Sequence, residues 1–368
     1  MRGTVCLAVA ALLNGPTAAQ QFNFDDFFKP KDKKAALFSN VPVSMRPRMT
    51  AEFRVSAMRQ FGGKPTTEKA IVAALRWLKT HQNEEGSWSN ECKPAMTGLA
   101  LLCFLGHGEL PASPEFGSTV KKALDWLQQK GSESDGRMSL TKGEWLRDVS
   151  VYEHALGTQS ICEYFAMTQD AAFAALIPKA AAITVDGQNP SGGWDLFFHQ
   201  GVRSDLSVTA WQVQALHAAW LTKLPIPGLD QALDKSVIYI KAKQGNEGGF
   251  GYDRAENRVA FTGMGVISAY LTTQSKDRTV KEGIDYLLGK AEVKYKGGKT
   301  QADLYAGISP RRPATDLAAR RGRSGMACFR MKSRTTRAPM EAGRRRRVTL
   351  IKPRWMEPDP AIAPRFAL

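Results

Sequence analysis

An all-α fold of stacked helix pairs, arranged as an α/α toroid, is predicted by three features of this chain. Four times, an apolar helical stretch runs into a glycine-rich turn, and a second stretch rich in alanine, glycine and threonine follows. The clearest turns read HQNEEGSW (Gln82, Gly86, Trp88), GQNPSGGW (Gln188, Gly193, Trp194) and KQGNEGGF (Gln244, Gly249, Phe250). The stretches before the turns are amphipathic, whereas those after them are apolar nearly all round. One such pair cannot bury its own apolar faces, so a repeat of roughly fifty residues must stack each pair on its neighbours.

The first helices of the pairs are KAIVAALRWLKTHQ, VKKALDWLQQK, IPKAAAITVDGQ, LDKSVIYIKAKQ and VKEGIDYLLGK. They place Trp77, Trp126, Ile183, Tyr239 and Tyr286 at equivalent positions, at intervals of 49, 57, 56 and 47 residues. Large apolar residues fall three and four apart in each, as in Ile71, Ala74, Leu75 and Leu78, giving one buried stripe per helix. Outer helices are therefore expected near 69–82, 119–130, 231–243 and 280–289. The second helices contain AMTGLALLCFLG, VYEHALGTQSICEYF, LSVTAWQVQALHAAW and AFTGMGVISAYL. With few charges and many small residues they are expected to be buried on both sides, as an inner ring near 95–105, 152–167, 206–219 and 260–273. An open superhelical solenoid is the alternative, and the weak amphipathicity of the inner set favours closure.

In the turns, the glycines permit backbone conformations and close approaches that a side chain obstructs. The glutamine at the end of an outer helix can bond backbone groups left unpaired there, and the indole can cover the junction. Ligand stacking is the competing role for these residues. Cys103 and Cys162 lie in apolar helical stretches, where a place in the core is commonest.

Residues 1–19 combine Arg2, the apolar run TVCLAVAALL and the small residues Thr17, Ala18 and Ala19. This is the pattern of a signal peptide cleaved after Ala19, so the expected location is the periplasm or the extracellular space. No later run reaches the ~20 apolar residues of a membrane span. Residues 20–66 are an N-terminal extension of mixed character, 67–305 the repeat domain and 306–368 a basic tail. Of the formal net charge of +16, the segment 311–365 carries +12, so the body is nearly neutral.

That tail has neither a helical stripe nor strand alternation, and its plain reading is a disordered basic extension. The genetic code offers a sharper one. A permitted set of codons for Gly325 to Gly343 reads WNGMFQDEIADNQSADGGW in an overlapping frame, which is a further copy of the repeat signature. The expectation is a shift of reading frame between Tyr305 and Ser324, with non-native residues beyond it. The basic tail then implies no nucleic-acid partner.

Outer helix, Gln, a short gap, then Gly-x-Trp: this pattern resembles the QW motif of the terpenoid cyclase and protein prenyltransferase superfamily, over roughly residues 67–305. The resemblance implies an α/α toroid whose central cavity handles isoprenoid chains. Squalene-hopene cyclases carry an Asp-x-Asp-Asp-Thr-Ala acid segment. The stretch SDLSVTAW keeps Asp205 and Thr209-Ala210 but has Ser207 and Val208 where further carboxylates stand in that family. Protonating an alkene needs a carboxyl held protonated and strongly acidic by its neighbours, which a lone aspartate does not supply. The Asp/Cys/His zinc site of the prenyltransferases has no counterpart in spacing, so neither metal nor cofactor is expected.

Three functions fit these residues. The first is an exported toroid that binds an apolar or oligomeric ligand, such as an isoprenoid or another apolar small molecule, without the standard acid motif. The second is an isoprenoid-processing enzyme with Asp205 as acid, Glu153 and His154 as further catalytic candidates, and Thr209 and Trp211 lining the ligand. The third is a polysaccharide-active toroid. His154 at a helix start also suits a plain hydrogen-bonding role, and Glu153 and Asp205 suit helix N-termini electrostatically. Oligomeric state is left open by the sequence.

Overall fold

The computed structural model describes residues 38–60, 63–140, 150–196, 198, 203–273, 277–290, 295–296 and 299–300. The expected signal peptide and the basic tail with its proposed frame shift lie outside the described residues. What is described belongs to one unit within Met1–Arg330.

A 3-10 turn at Arg46–Arg48 leads into α1 (Ala51–Gln60). Then come α2 (Pro65–Thr80), α3 (Lys93–His107), α4 (Gly117–Glu133), α5 (Ser150–Thr168), α6 (Leu176–Asp186), α7 (Leu206–Leu221), α8 (Leu229–Lys241), α9 (Val259–Thr273) and α10 (Arg278–Lys290). Beyond helices, the described residues hold one antiparallel hairpin of two-residue strands, β1 (Tyr295–Lys296) and β2 (Lys299–Thr300), and isolated bridges in the turns. The fold is all-α in its substance, and each expected helix is present within a few residues of its expected bounds.

The helices form two layers. The inner helices α3, α5, α7 and α9 pack side by side in chain order, and α4, α6, α8 and α10 lie against them from one side. Among the described residues no comparable interface joins α9 back to α3. The outer helices bury one stripe, as α4 does with Val120, Ala123, Leu124 and Leu127. Each such fully buried side chain stabilises by about 1.5–3 kcal/mol. Helices α5 and α7 are buried along nearly their whole length, as expected of an inner layer. Helix α3 departs from this: Met96 is 40% exposed, and Cys103 is exposed rather than in the core. Its other face, with Leu101, Phe104 and Leu105, takes the packing against the outer layer. Cys162 is buried, as expected.

The turn chemistry repeats. Gln82 Nε2 donates to Gly86 O (2.9 Å) in its own turn and to Thr119 O (3.0 Å) at the start of the next outer helix. Gln188 donates to Gly192 O (3.0 Å) and Ala232 O (2.8 Å), and Gln244 to Gly248 O (3.1 Å) and Thr279 O (2.9 Å). One side chain thus supplies a donor to a turn carbonyl and a second donor to a first-turn carbonyl of the next outer helix, pinning the two helices together. Replacing the buried Gln188 with alanine is expected to cost about 1–3 kcal/mol, because both carbonyls lose this donor and Gly192 O is left buried with none. Urea unfolding of the variant checks this, and a cost near zero would mean that water reaches both.

The glycine the turn requires stands two residues before the aromatic. Gly86, Gly192 and Gly248 have φ of 102°, 88° and 89°. A Cβ there would lie 2.2–2.5 Å from a carbonyl of the next outer helix, at Lys122, Lys235 or Glu282. The turn therefore fixes how closely successive repeats approach.

A second junction ties together the two helices of the first repeat, α2 and α3. His107 Nε2 lies 2.9 Å from Glu68 Oε1 on α2, and His107 Nδ1 lies 2.7 Å from Glu109 Oε1. A neutral imidazole has one N–H and cannot serve both carboxylates, so the doubly protonated ring fits. Burial pulls its pKa down, but the bonds to Glu109 and Glu68 outweigh that and the nearby Arg54 charge, leaving it raised. A raised histidine pKa contributes stability that is present below the unfolded value and lost as pH rises through the folded one. The buried His154 and His217 rings, with pKa lowered, oppose it on the acid side. The melting temperature of His107→Gln relative to the parent is therefore expected to improve as pH rises from the ordinary imidazole range upward. A constant difference between pH 6 and 9 would count against the charged clamp.

Candidate functional site

The first turns of α5 and α7 hold every sequence candidate except Trp211. The α7 end is built around its N-cap. Asp205 Oδ1 accepts from Val208 N (2.8 Å) and Ser207 Oγ (2.6 Å), which starts the helix and buries the carboxylate. The Tyr252 side chain lies near this carboxylate and favours its ionised form. Burial raises the Asp205 pKa above its ordinary value, while the bonds from Ser207 and Val208 and the nearby Tyr252 pull the other way. Tyr152 on α5 joins the group, its hydroxyl 3.0 Å from Ser207 Oγ. A chain Tyr152–Ser207–Asp205 thus links the two helices.

Thr209 is fully buried, and its Oγ1 accepts from Trp194 N (3.1 Å). Thr97 and Thr262 do the same for Trp88 N (3.1 Å) and Phe250 N (2.9 Å). In the remaining repeat, Met138 stands for the aromatic and His154 for the threonine. Met138 N donates to His154 Nδ1 (3.0 Å), and His154 Nε2 donates to Ala180 O on α6 (3.0 Å). Both ring nitrogens are engaged, and burial pulls the imidazole pKa down to about 4. The ring is held neutral in one tautomer and does in this repeat what Thr209 does in its own.

Glu153 is buried and accepts from Leu140 N through Oε2 (3.0 Å). After burial, its charge is the next largest influence raising the pKa of the Cys92 thiol on the α3 side. Asp205 lies instead near Tyr252, in the segment leading to α9. The fold brings the two carboxylates to the same end of the inner layer, yet they serve different neighbours.

Trp211 belongs elsewhere. It is half-buried against Leu99, Ala95 and Leu102 of α3 and Leu156 of α5. This cluster draws on three inner helices, on Cys92 at the head of α3, and on no outer helix, so it lies on the face of the inner layer turned away from the outer helices. Half-exposed Met96 sits on the same side of α3, three residues before Leu99. An open hollow of about 480 Å³ beside α1, lined by Ala51, Glu52, Val55, Ser56 and Arg59, contains none of these residues. Among the described residues, no group of three His, Cys, Asp or Glu side chains is placed to hold a metal ion.

Sequence reasoning overlooked Tyr152, Tyr252 and the role of Ser207. It read Ser207 only as an absent carboxylate, although a hydroxyl two residues after an N-cap aspartate is a recognisable local donor. Among the described residues no helix is long and apolar enough to cross a membrane. Compared with models of known protein families and with curated proteins, the chain matches none.

Proposed function

We propose that this chain is an exported toroid protein of the terpenoid-cyclase and prenyltransferase kind that binds an apolar, chain-like molecule on the inner face of its inner helices. The cluster Ala95, Leu99, Leu102, Leu156 and Trp211, with Met96 40% exposed beside it, carries this reading. Ala95, Leu102 and Leu156 form a buried floor, while half-buried Leu99 and Trp211 and exposed Met96 keep apolar area that an apolar ligand can bury, worth about 25 cal/mol per Å². The repeat signature and the layered packing support the toroid, and its closure belongs to the same proposal.

Tryptophan emission of the full chain, titrated separately with a C20 isoprenoid alcohol and with maltohexaose, tests the reading. A saturable change with the alcohol, absent in Met96→Glu, is expected. Response to the sugar alone would instead support the polysaccharide reading.

One observation favours a second reading, an isoprenoid-processing enzyme. The Tyr152–Ser207–Asp205 chain gives a buried carboxyl of raised pKa a route for protons. Cyclised product that disappears in Asp205→Asn would promote it. Squalene itself is expected to stay unreacted, because Ser207 and Val208 replace the carboxylates that the cyclase segment needs.

A further inference from the structure

At the opposite end of the inner helices lies a buried polar cluster that the readings above do not use. Arg48, 2% exposed, enters it from the 3-10 turn before α1, and its Nη1 donates to Glu163 Oε2 of α5 (2.8 Å). Gln159 Nε2 donates to the other oxygen, Glu163 Oε1 (3.1 Å). The same carboxylate's charge also acts on the ring of His217 on α7. Glu163 thus holds Arg48 and Gln159 by hydrogen bonds, one to each carboxylate oxygen.

The cluster is incompletely satisfied. Arg48 Nε and Nη2, Gln159 Oε1 and His217 Nδ1 are all buried without a hydrogen-bond partner. The two arginine atoms are not an arbitrary pair: Nε–H and one Nη2–H point the same way and form the side-on fork of the guanidinium, the edge that receives a planar carboxylate through two parallel bonds. Glu163 occupies Nη1 and leaves that fork open. His217 Nδ1 can add a third donor in the matching tautomer.

The cluster also adjoins the apolar face. Leu156, Gln159 and Glu163 stand at i, i+3 and i+7 along α5, on one side of that helix. The side chain that contributes to the apolar cluster is therefore one to two turns from those that hold Arg48.

We infer that the open Nε/Nη2 edge of Arg48 is the head-group site for a monocarboxylate whose apolar chain lies along Leu156, Leu99 and Trp211. A singly charged, planar head suits it better than a phosphate dianion, because Glu163 already balances most of the one arginine charge. Val41 and Met45 pack in the same core as Cys162, Ala166, Ala218 and Ala219, the neighbours of Glu163 and His217. This inference rests on the proposed apolar-ligand function and names the polar end of its ligand.

Calorimetric titration of the full chain with dodecanoate and with dodecanol tests it. Dodecanoate is expected to bind at least about tenfold more tightly, the preference of a charge-assisted fork over a neutral hydroxyl. Arg48→Lys, which keeps the charge opposite Glu163 but removes the fork, should erase that preference. Glu163→Gln, which keeps the shape and frees the arginine charge, should tighten dodecanoate alone, an outcome that a merely structural pair would not produce. Met96→Glu should weaken both ligands alike. Equal affinity for the two probes, or a preference unchanged in Arg48→Lys and in Glu163→Gln, overturns the head-group site while leaving the apolar function standing. Binding of neither probe defeats the apolar function and this inference with it.

Discussion

Trp194→Ala is expected to lower stability by about 3–5 kcal/mol, the range for removing a buried aromatic side chain. Trp194 is fully buried in the cluster that joins Leu206, Val208 and Leu216 of α7 to Leu229 and Ile240 of α8. Its Nε1 donates to Thr184 O near the end of α6 (2.7 Å), while its backbone N–H is held by Thr209. One residue therefore ties α6, α7 and α8 together, and truncation leaves both a cavity and an unpaired carbonyl. Trp194→Phe keeps most of the volume and should cost only about 1–2 kcal/mol, since Phe250 fills the equivalent place without a ring donor. Denaturant unfolding separates the two variants. A loss below 1 kcal/mol for alanine would mean that the turn is peripheral to the fold.

Gly192→Ala is expected to cost about 2–5 kcal/mol, although it adds a single methyl group. The backbone there has φ of 88°, which disfavours any residue with a Cβ by about 1–2 kcal/mol. The new Cβ would also lie 2.2 Å from Lys235 O, a backbone atom of α8 that moves only if the helix does. Gly106 in α3 is the control. A Cβ there meets nothing within 4 Å, so Gly106→Ala should be neutral or stabilise by about 0.4–1 kcal/mol. Equal effects at the two sites would refute the repeat-spacing role of the turn glycine.

The helices were legible because an apolar stripe of period 3.6 survives in every outer helix and because the turn residues recur. The particular glycine was less so. Gly193 and Gly249 adjoin the aromatic and look like the motif residue, but the positive φ belongs to Gly192 and Gly248, which only the backbone reveals. The hydrogen-bonding role of His154 was legible, but its equivalence to the turn threonine was hidden by divergence. Its repeat has Gly131 where the glutamine stands elsewhere and Met138 in place of the aromatic. The two changes belong together, because a Cβ at Gly131 would lie 2.7 Å from Met138 Cε. Cys103 was misplaced because apolar character all round a helix does not say which face a neighbour covers. The Arg48–Glu163 pair spans 115 residues and lies outside the repeat pattern, so no local signal announced it.

The most direct test of the proposed function is to map where an apolar chain sits. A C20 isoprenoid alcohol carrying a photoreactive diazirine, irradiated with the full chain and located by peptide mass spectrometry, reads this out. Labelling concentrated between Met96 and Cys103 and around Leu156 and Trp211, and competed away by unlabelled alcohol, is the expected result. Labelling confined to the hollow on α1 or to the outer faces of α4 and α8, or insensitive to competition, would contradict a binding surface on the inner layer.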